Sequence, residues 1–161
     1  MNTWHARGGR WVAAQFVLMA LVLVFAWLPP GWGGASTLTA ALGASLALAG
    51  GLLAAWAWRT LDRSATMFPS PRPGGRLIET GPYALIRHPV YAGAIVFFVG
   101  FALATSPAVF VPLAALALLW RNKAALEEDW LEEKYADYEE YRRRVPGRFV
   151  PTLATLRSVD A

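Results

Sequence analysis

Residues 81–93 read G-P-Y-A-L-I-R-H-P-V-Y-A-G, and they open into an apolar run that extends from Val90 to about Thr105. One Arg, one of only two His residues, two Tyr, two Pro and two Gly stand here at the mouth of an oily helix. Pro89 suits the first helical position, because its missing N–H would be unsatisfied there anyway. Gly81 and Pro82 make a turn, Arg87 and His88 sit at the helix entrance, and Tyr91 and Gly93 fall in its first turns. A Gly there lets a ligand or a neighbouring backbone approach closely. Helix N-terminal amides beside Arg87 suit a carboxylate or phosphate. The plainer reading is that Arg87 and His88 anchor the helix in lipid head groups, with Tyr83 and Tyr91 as interfacial aromatics.

Composition frames this stretch. The chain has 161 residues, 56% of them hydrophobic and 16% charged, with a mean hydropathy of +0.36. Residues 1–161 are therefore expected to form a single all-α integral membrane domain. With no Cys, disulfides, thiolate metal sites and a Cys nucleophile are excluded. The net charge of +4 fits basic residues flanking apolar runs and touching anionic lipid. No groove-reading module accompanies it, so nucleic acid is not an expected partner.

Apolar runs predict about four transmembrane helices, near 11–28, 38–58, 90–105 and 108–120. The first is longer than a signal-peptide core of about 7 to 15 residues and is read as a retained helix. Pro29, Pro30, Gly31, Gly33 and Gly34 end it in an uncharged turn. In the second, Gly43, Ala47, Gly50, Gly51, Ala54 and Ala55 either permit close helix packing or simply fill an apolar helix. Arg59 to Arg76, with Pro69, Pro71, Pro73, Gly74 and Gly75, reads as a loop at the membrane surface. Ser106 and Pro107 separate the third and fourth runs, a short hairpin that either spans or re-enters.

Basic residues number two before the first run, five between the second and third, and eight after the fourth. The other two connections carry no charge, so the positive-inside rule places both termini in the cytoplasm of a bacterial-type inner (plasma) membrane. Trp27 and Trp32 would mark one interface, and Trp11, Trp56, Trp58 and Trp120 the other. Beyond Arg121, the spacing of Leu126, Trp130, Leu131, Tyr135, Tyr138 and Tyr141 predicts a cytoplasmic amphipathic helix to about Arg144. Glu127 and Glu128 lie within about two turns of its membrane end, where an unpaired carboxylate is costly.

The string R-H-P-V-Y-A-G preceded by G-P-Y, followed after an apolar hairpin by E-E, two Tyr, R-R-V-P and R-F-V-P, resembles the isoprenylcysteine carboxyl methyltransferase and phospholipid methyltransferase families. The likeness runs from about Leu77 to Pro151. One departure is Y-A-D-Y at Tyr135 to Tyr138, where members often carry F-G-x-x-Y. The resemblance implies a helical enzyme that binds S-adenosylmethionine at the cytoplasmic surface, between residues 77–93 and 121–151, and releases S-adenosylhomocysteine. It implies cofactor-binding roles for Tyr83, His88, Pro89, Tyr91, Gly93, Glu127, Glu128 and Tyr138. Arg87 would orient a carboxylate of the acceptor or cofactor, and one glutamate, with Glu128 preferred, would serve as base for an acceptor that must lose a proton.

A methyl group on a sulfonium is already activated, so alignment and exclusion of water are the main tasks, and no metal is expected. The bilayer would deliver a lipophilic acceptor, with a prenylated thioether carboxylate, a lipid amine, a small thiol and an isoprenoid acid all compatible. Two other classes compete. An NADPH-dependent membrane reductase can present a similar cleft, and a non-enzymatic interaction or transport subunit leaves Arg87, His88 and the glutamate pair without a shared task.

Overall fold

The computed structural model describes residues 3–28, 37–153 and 155–156. The expected turn at Pro29, Pro30, Gly31, Gly33 and Gly34, and Trp32 within it, lie outside the described residues. Among the described residues the fold is all-helical, with six α-helices: α1 (Thr3–Ala6), α2 (Gly9–Phe25), α3 (Thr37–Leu61), α4 (Pro89–Ala104), α5 (Phe110–Lys134) and α6 (Tyr138–Arg144). Helical segments 37–64 and 107–134 are long and apolar enough to cross a membrane, and α2 and α4 are shorter apolar helices. Leu38, Leu42, Leu48 and Leu52 on α3, and Val17, Leu23 and Val24 on α2, are exposed. Such wide apolar surfaces fit membrane association.

The helix starts follow local chemistry. Pro89 opens α4 with His88 as the preceding cap, and Gly81, at φ +60°, starts the single turn 81–84. Ser106 Oγ accepts a hydrogen bond from the Ala108 amide at 3.2 Å and so satisfies one of the donors exposed at the hairpin.

Helices α3 and α4 pack antiparallel through small residues. A Cβ on Gly50 would lie 2.3 Å from the Phe97 amide nitrogen and 2.6 Å from the Gly93 carbonyl oxygen. One on Gly100 would lie 2.3 Å from the Ala47 nitrogen and 2.5 Å from the Gly43 oxygen. In lipid, where apolar surfaces gain nothing by leaving the solvent, this backbone proximity is a main source of helix association. Gly51 takes no part, since its Cβ would meet only the Phe97 ring at 3.6 Å. Val22 of α2, Phe98 and Ala102 of α4, and Leu113, Leu116 and Trp120 of α5 form the main buried cluster.

Two expectations need correcting. The fourth apolar run and the charged helix after it are not separate elements, because α5 continues through Arg121 to Lys134. Nothing from Arg121 to Lys134 stops a helix, and its Ala, Leu, Glu and Lys residues favour one. The break comes later, at Tyr135–Asp137, where Tyr138 and Tyr141 turn inward to pack with Val145, Leu77 and Leu131. That is also where the sequence departs from its resembling families. Trp120, expected at an interface, is buried, stacked 5.7 Å from Tyr91, and donates to Gln15 Oε1 at 3.0 Å.

Candidate active site

The two halves of the sequence motif meet through the backbone first. The Arg87 amide donates to the Gly147 carbonyl and the His88 amide to the Arg148 carbonyl, both at 2.9 Å. The R-V-P-G-R segment, 144–148, is thereby docked on the entrance of α4. Gly147 is required in this turn, since a Cβ there would lie 2.3 Å from the Val150 carbonyl oxygen. Arg87 Nη1 donates to the Val145 and Pro146 carbonyls at 2.8 and 2.7 Å, and its Nε reaches Glu128 Oε1 at 3.1 Å. Tyr141 donates its hydroxyl to the Tyr83 carbonyl at 2.9 Å.

Glu128 is the centre of an ion cluster. His88 Nε2 lies 3.0 Å from its Oε1, and Arg148 forks onto both oxygens at 3.0 and 2.6 Å. Only 3% of the residue is exposed, so an unpaired charge here would be strongly disfavoured. On this charged extension of α5, past the apolar run, burial pushes the carboxyl up, but hydrogen bonds from His88, Arg148 and Arg87 outweigh it and hold it at about 2. Burial likewise opposes charge on His88, and its hydrogen bonds to Glu127 and Glu128 prevail and raise it above its ordinary value.

Beside this cluster lies a cavity of about 300 Å³, at the lower end of the size range of small-molecule sites. All five tyrosines of the chain line it. Of the residues picked out by sequence, Tyr83, Arg87, His88, Tyr91, Glu127 and Tyr138 line the cavity. Glu128 is behind that wall, one residue round the helix from Glu127. Pro89 and Gly93 lie away from the cavity: Pro89 is the buried first residue of α4, and Gly93 faces α3, where a Cβ would sit 2.6 Å from the Ala54 nitrogen. Tyr91 donates its hydroxyl to Glu127 Oε1. Among the described residues the buried Tyr138 hydroxyl has no hydrogen-bond partner, and burial pushes its ionisation far above the ordinary value.

Sequence reasoning missed Gln15, Met67, Lys123, Tyr135 and Tyr141, which also line the cavity. Gln15 had a signal, as the one polar side chain in the apolar run 11–28; such residues in spanning segments are functional candidates by default. Lys123 had another, one helical turn before Glu127 and so on the same face. The strap 65–69 lines the cavity through Thr66, Met67, Phe68 and Pro69 and is held by the N-terminal region. Arg7 lies 4.4 Å over the Phe68 ring and donates to Thr66 Oγ1 at 3.4 Å. Trp4 packs edge-on against Phe68 at 5.1 Å.

Residues 38–138, which carry α3 from its second residue, all of α4 and α5, and the first residue of α6, match the phospholipid methyltransferase family. This chain belongs to that family. Among similar proteins of this phospholipid methyltransferase family member are two named for metal resistance. The nickel-cobalt-cadmium resistance protein NccN of Alcaligenes xylosoxydans xylosoxydans is 31% identical over 156 residues, covering 94% of this chain and 68% of that protein. The cobalt-zinc-cadmium resistance protein CzcN of Cupriavidus metallidurans is 33% identical over 155 residues, covering 94% of this chain and 66% of that protein. The chain thus spans about two thirds of each relative's length. Among the described residues no group of three or more His, Cys, Asp or Glu is arranged to hold a metal ion.

Proposed function

We propose that this protein transfers a methyl group from S-adenosylmethionine to a lipophilic acceptor at the membrane–cytoplasm interface. In this reading α2, α3, α4 and the apolar half of α5 span an inner membrane, both termini are cytoplasmic, and the charged half of α5 with α6 covers the site. Membership of the phospholipid methyltransferase family supports it. The observation that carries it is the tyrosine-lined cavity held between R-H-P-x-Y and Glu127.

The chain's residues suit such a cofactor. Tyrosine faces and the Glu127 carboxylate favour a cationic sulfonium and an adenine ring. The unpartnered Tyr138 hydroxyl is a donor left for a ligand, since a buried polar group without a partner costs about 1–3 kcal/mol. The cofactor supplies a methyl group already activated for transfer. Glu127 would accept hydrogen bonds from its amino or ribose groups, and is the carboxylate available to take a proton from an acceptor that must lose one. Glu128, fully engaged by Arg87, Arg148 and His88, is assigned a positioning role: it locks residues 144–148 onto α4 and keeps the wall of the cavity in place. The strap 65–69 and the tyrosines would exclude water, so that nucleophile and methyl carbon stay aligned.

Calorimetric binding of S-adenosylmethionine and S-adenosylhomocysteine to purified protein in detergent and in nanodiscs tests the proposal. Saturable binding is expected, weakened about tenfold or more by Arg87→Ala, His88→Ala or Glu128→Gln in variants that remain folded. No binding by folded wild type in either environment would overturn it.

A further inference from the structure

Lys123 is 1% exposed and lines the cavity. Its Nζ donates to Gln15 Oε1 at 2.9 Å and to the Met67 carbonyl at 2.8 Å. It also stands 5.4 Å over the Tyr91 ring. No carboxylate pairs with it within ion-pair distance among the described residues. An ammonium has three donors, and both partners here are neutral. One N–H is left over, and the nearest carboxylate, Glu127, acts on the ammonium only from one helical turn away.

The position of this charge is specific. Lys123, Glu127 and Leu131 follow one another at four-residue steps of α5, with Tyr135 just past its end, and all line the cavity, a stripe about 18 Å long. Lys123 is at the apolar, membrane-side end, beside Trp120 and the α2 helix. Glu127 is one turn further out, next to Tyr91 and His88. The inner end of the stripe is therefore cationic and the next turn anionic: the turn at Glu127 suits the cationic sulfonium, and the inner end suits an anion. Gln15 holds the inner end in place, because its single oxygen accepts from both Lys123 Nζ and Trp120 Nε1. Arg87 is less suited to an acceptor, since its Nε and Nη1 are already bonded to Glu128, Val145 and Pro146.

We propose that Lys123 is the acceptor anchor of this site and selects a lipid-borne carboxylate over a lipid amine. The inference rests on the methyltransferase reading above. A protonated amine entering from the bilayer would meet a buried like charge, whereas a carboxylate would supply the missing counter-ion. The reaction then balances without a base: a carboxylate oxygen bonds to the methyl carbon, the carbon–sulfur bond breaks, and its electron pair stays on sulfur. No proton moves, and two opposite charges disappear. The ester formed no longer pairs with Lys123, which favours its return to the lipid.

The test uses nanodiscs containing dodecanoate or dodecylamine, S-adenosylmethionine labelled on its methyl group, and the variants Lys123→Met and Lys123→Arg. Wild type is expected to label dodecanoate, the label being released as methanol by alkali, and to leave dodecylamine unlabelled. Dodecanoate alone should raise the Tm of wild type but not of Lys123→Met, a readout independent of turnover. Lys123→Met should lose about tenfold or more of the labelling, with part of it restored in Lys123→Arg, while S-adenosylhomocysteine affinity changes less than about threefold. Alkali-stable label on dodecylamine, a dodecanoate effect on Tm that survives in Lys123→Met, or loss of S-adenosylhomocysteine binding in folded Lys123→Met would each overturn the inference and leave the methyltransferase reading standing. Failure of wild type to bind either cofactor form would remove both. If Lys123→Met does not fold, the choice between carboxylate and amine in wild type still decides.

Discussion

His88 Nε2 and Glu128 Oε1 lie 3.0 Å apart, joining the entrance of α4 to a residue 40 positions further along the chain. Around that contact Arg87 and Arg148 complete a cluster that fastens residues 144–148 to the entrance of α4. On the other side of His88, Glu127 lies 3.5 Å from Nδ1 and accepts from the Tyr91 hydroxyl, so the two adjacent glutamates flank one imidazole.

Glu128→Gln leaves Arg87 and His88 buried without their counter-charge. Breaking a buried pair from one side costs about 3–5 kcal/mol, so the Tm in detergent should fall by several degrees. Glu132→Gln, which removes the exposed partner of Arg142, is the control. Its Tm should stay within about a degree or two of wild type, since exposed pairs contribute about 0–1 kcal/mol. Equal shifts for the two variants would contradict a structural role for the cluster.

The pH dependence has two arms of opposite sign. His88 is raised in the folded protein, so its stabilising contribution is complete below its unfolded value near 6.5 and is lost as pH rises through the higher folded value. Glu128 is depressed to about 2, so its contribution is complete above the ordinary carboxylate range and is lost as pH falls towards 2. Tm recorded from pH 3 to 9 should decline on both sides. His88→Gln should flatten the alkaline arm, and Glu128→Gln the acid one.

Gly93→Ala places a Cβ 2.6 Å from the Ala54 nitrogen and 2.7 Å from the Gly50 oxygen, both backbone atoms. The helices must separate, and Tm should drop sharply along with S-adenosylhomocysteine binding. Gly51→Ala meets only the Phe97 ring at 3.6 Å and should be neutral or stabilising by up to about 1 kcal/mol, the helix-propensity gain. Thermal melts of the pair distinguish packing glycines from filler glycines in one experiment.

Tyr138→Phe removes a buried hydroxyl that lacks a hydrogen-bond partner among the described residues. Stability should be unchanged or higher by about 1 kcal/mol. S-adenosylhomocysteine affinity should nevertheless fall about three- to tenfold, the loss of one hydrogen bond. Calorimetry beside a thermal melt reads both. A fall in stability with unaltered affinity would assign the hydroxyl to the fold rather than to the ligand.

Much of the helical plan was legible because it depends on local chemistry. The start of α4 at Pro89, the break at Ser106–Pro107 and the single turn at Gly81 follow from residues that restrict or free the backbone where they stand. The break at Tyr135–Asp137 was not legible, because apolar spacing continues smoothly from Leu131 through Tyr141. Burial of Tyr138 and Tyr141 against Leu77 and Val145 wins over helix continuation there, and Leu77 is too far away in sequence for local spacing to reveal it. Trp120 was misplaced for a related reason: hydropathy marks a Trp near a run's end as interfacial, and only the Gln15 acceptor on α2 makes its full burial affordable.

By itself, the sequence determined the all-helical class, the apolar runs and their breaks, and the two motif halves that belong to the site. Those depend on composition and on residues acting within a turn of themselves. The tertiary structure alone decided which glutamate faces the cavity and which is enclosed by cations. Adjacent residues on a helix differ by about 100° in direction, and the rotation of α5 is set by its packing on α2 and α4, not by E-E. It also brought Lys123 to Gln15 across 108 residues, because a buried charge must find its partners wherever the fold provides them.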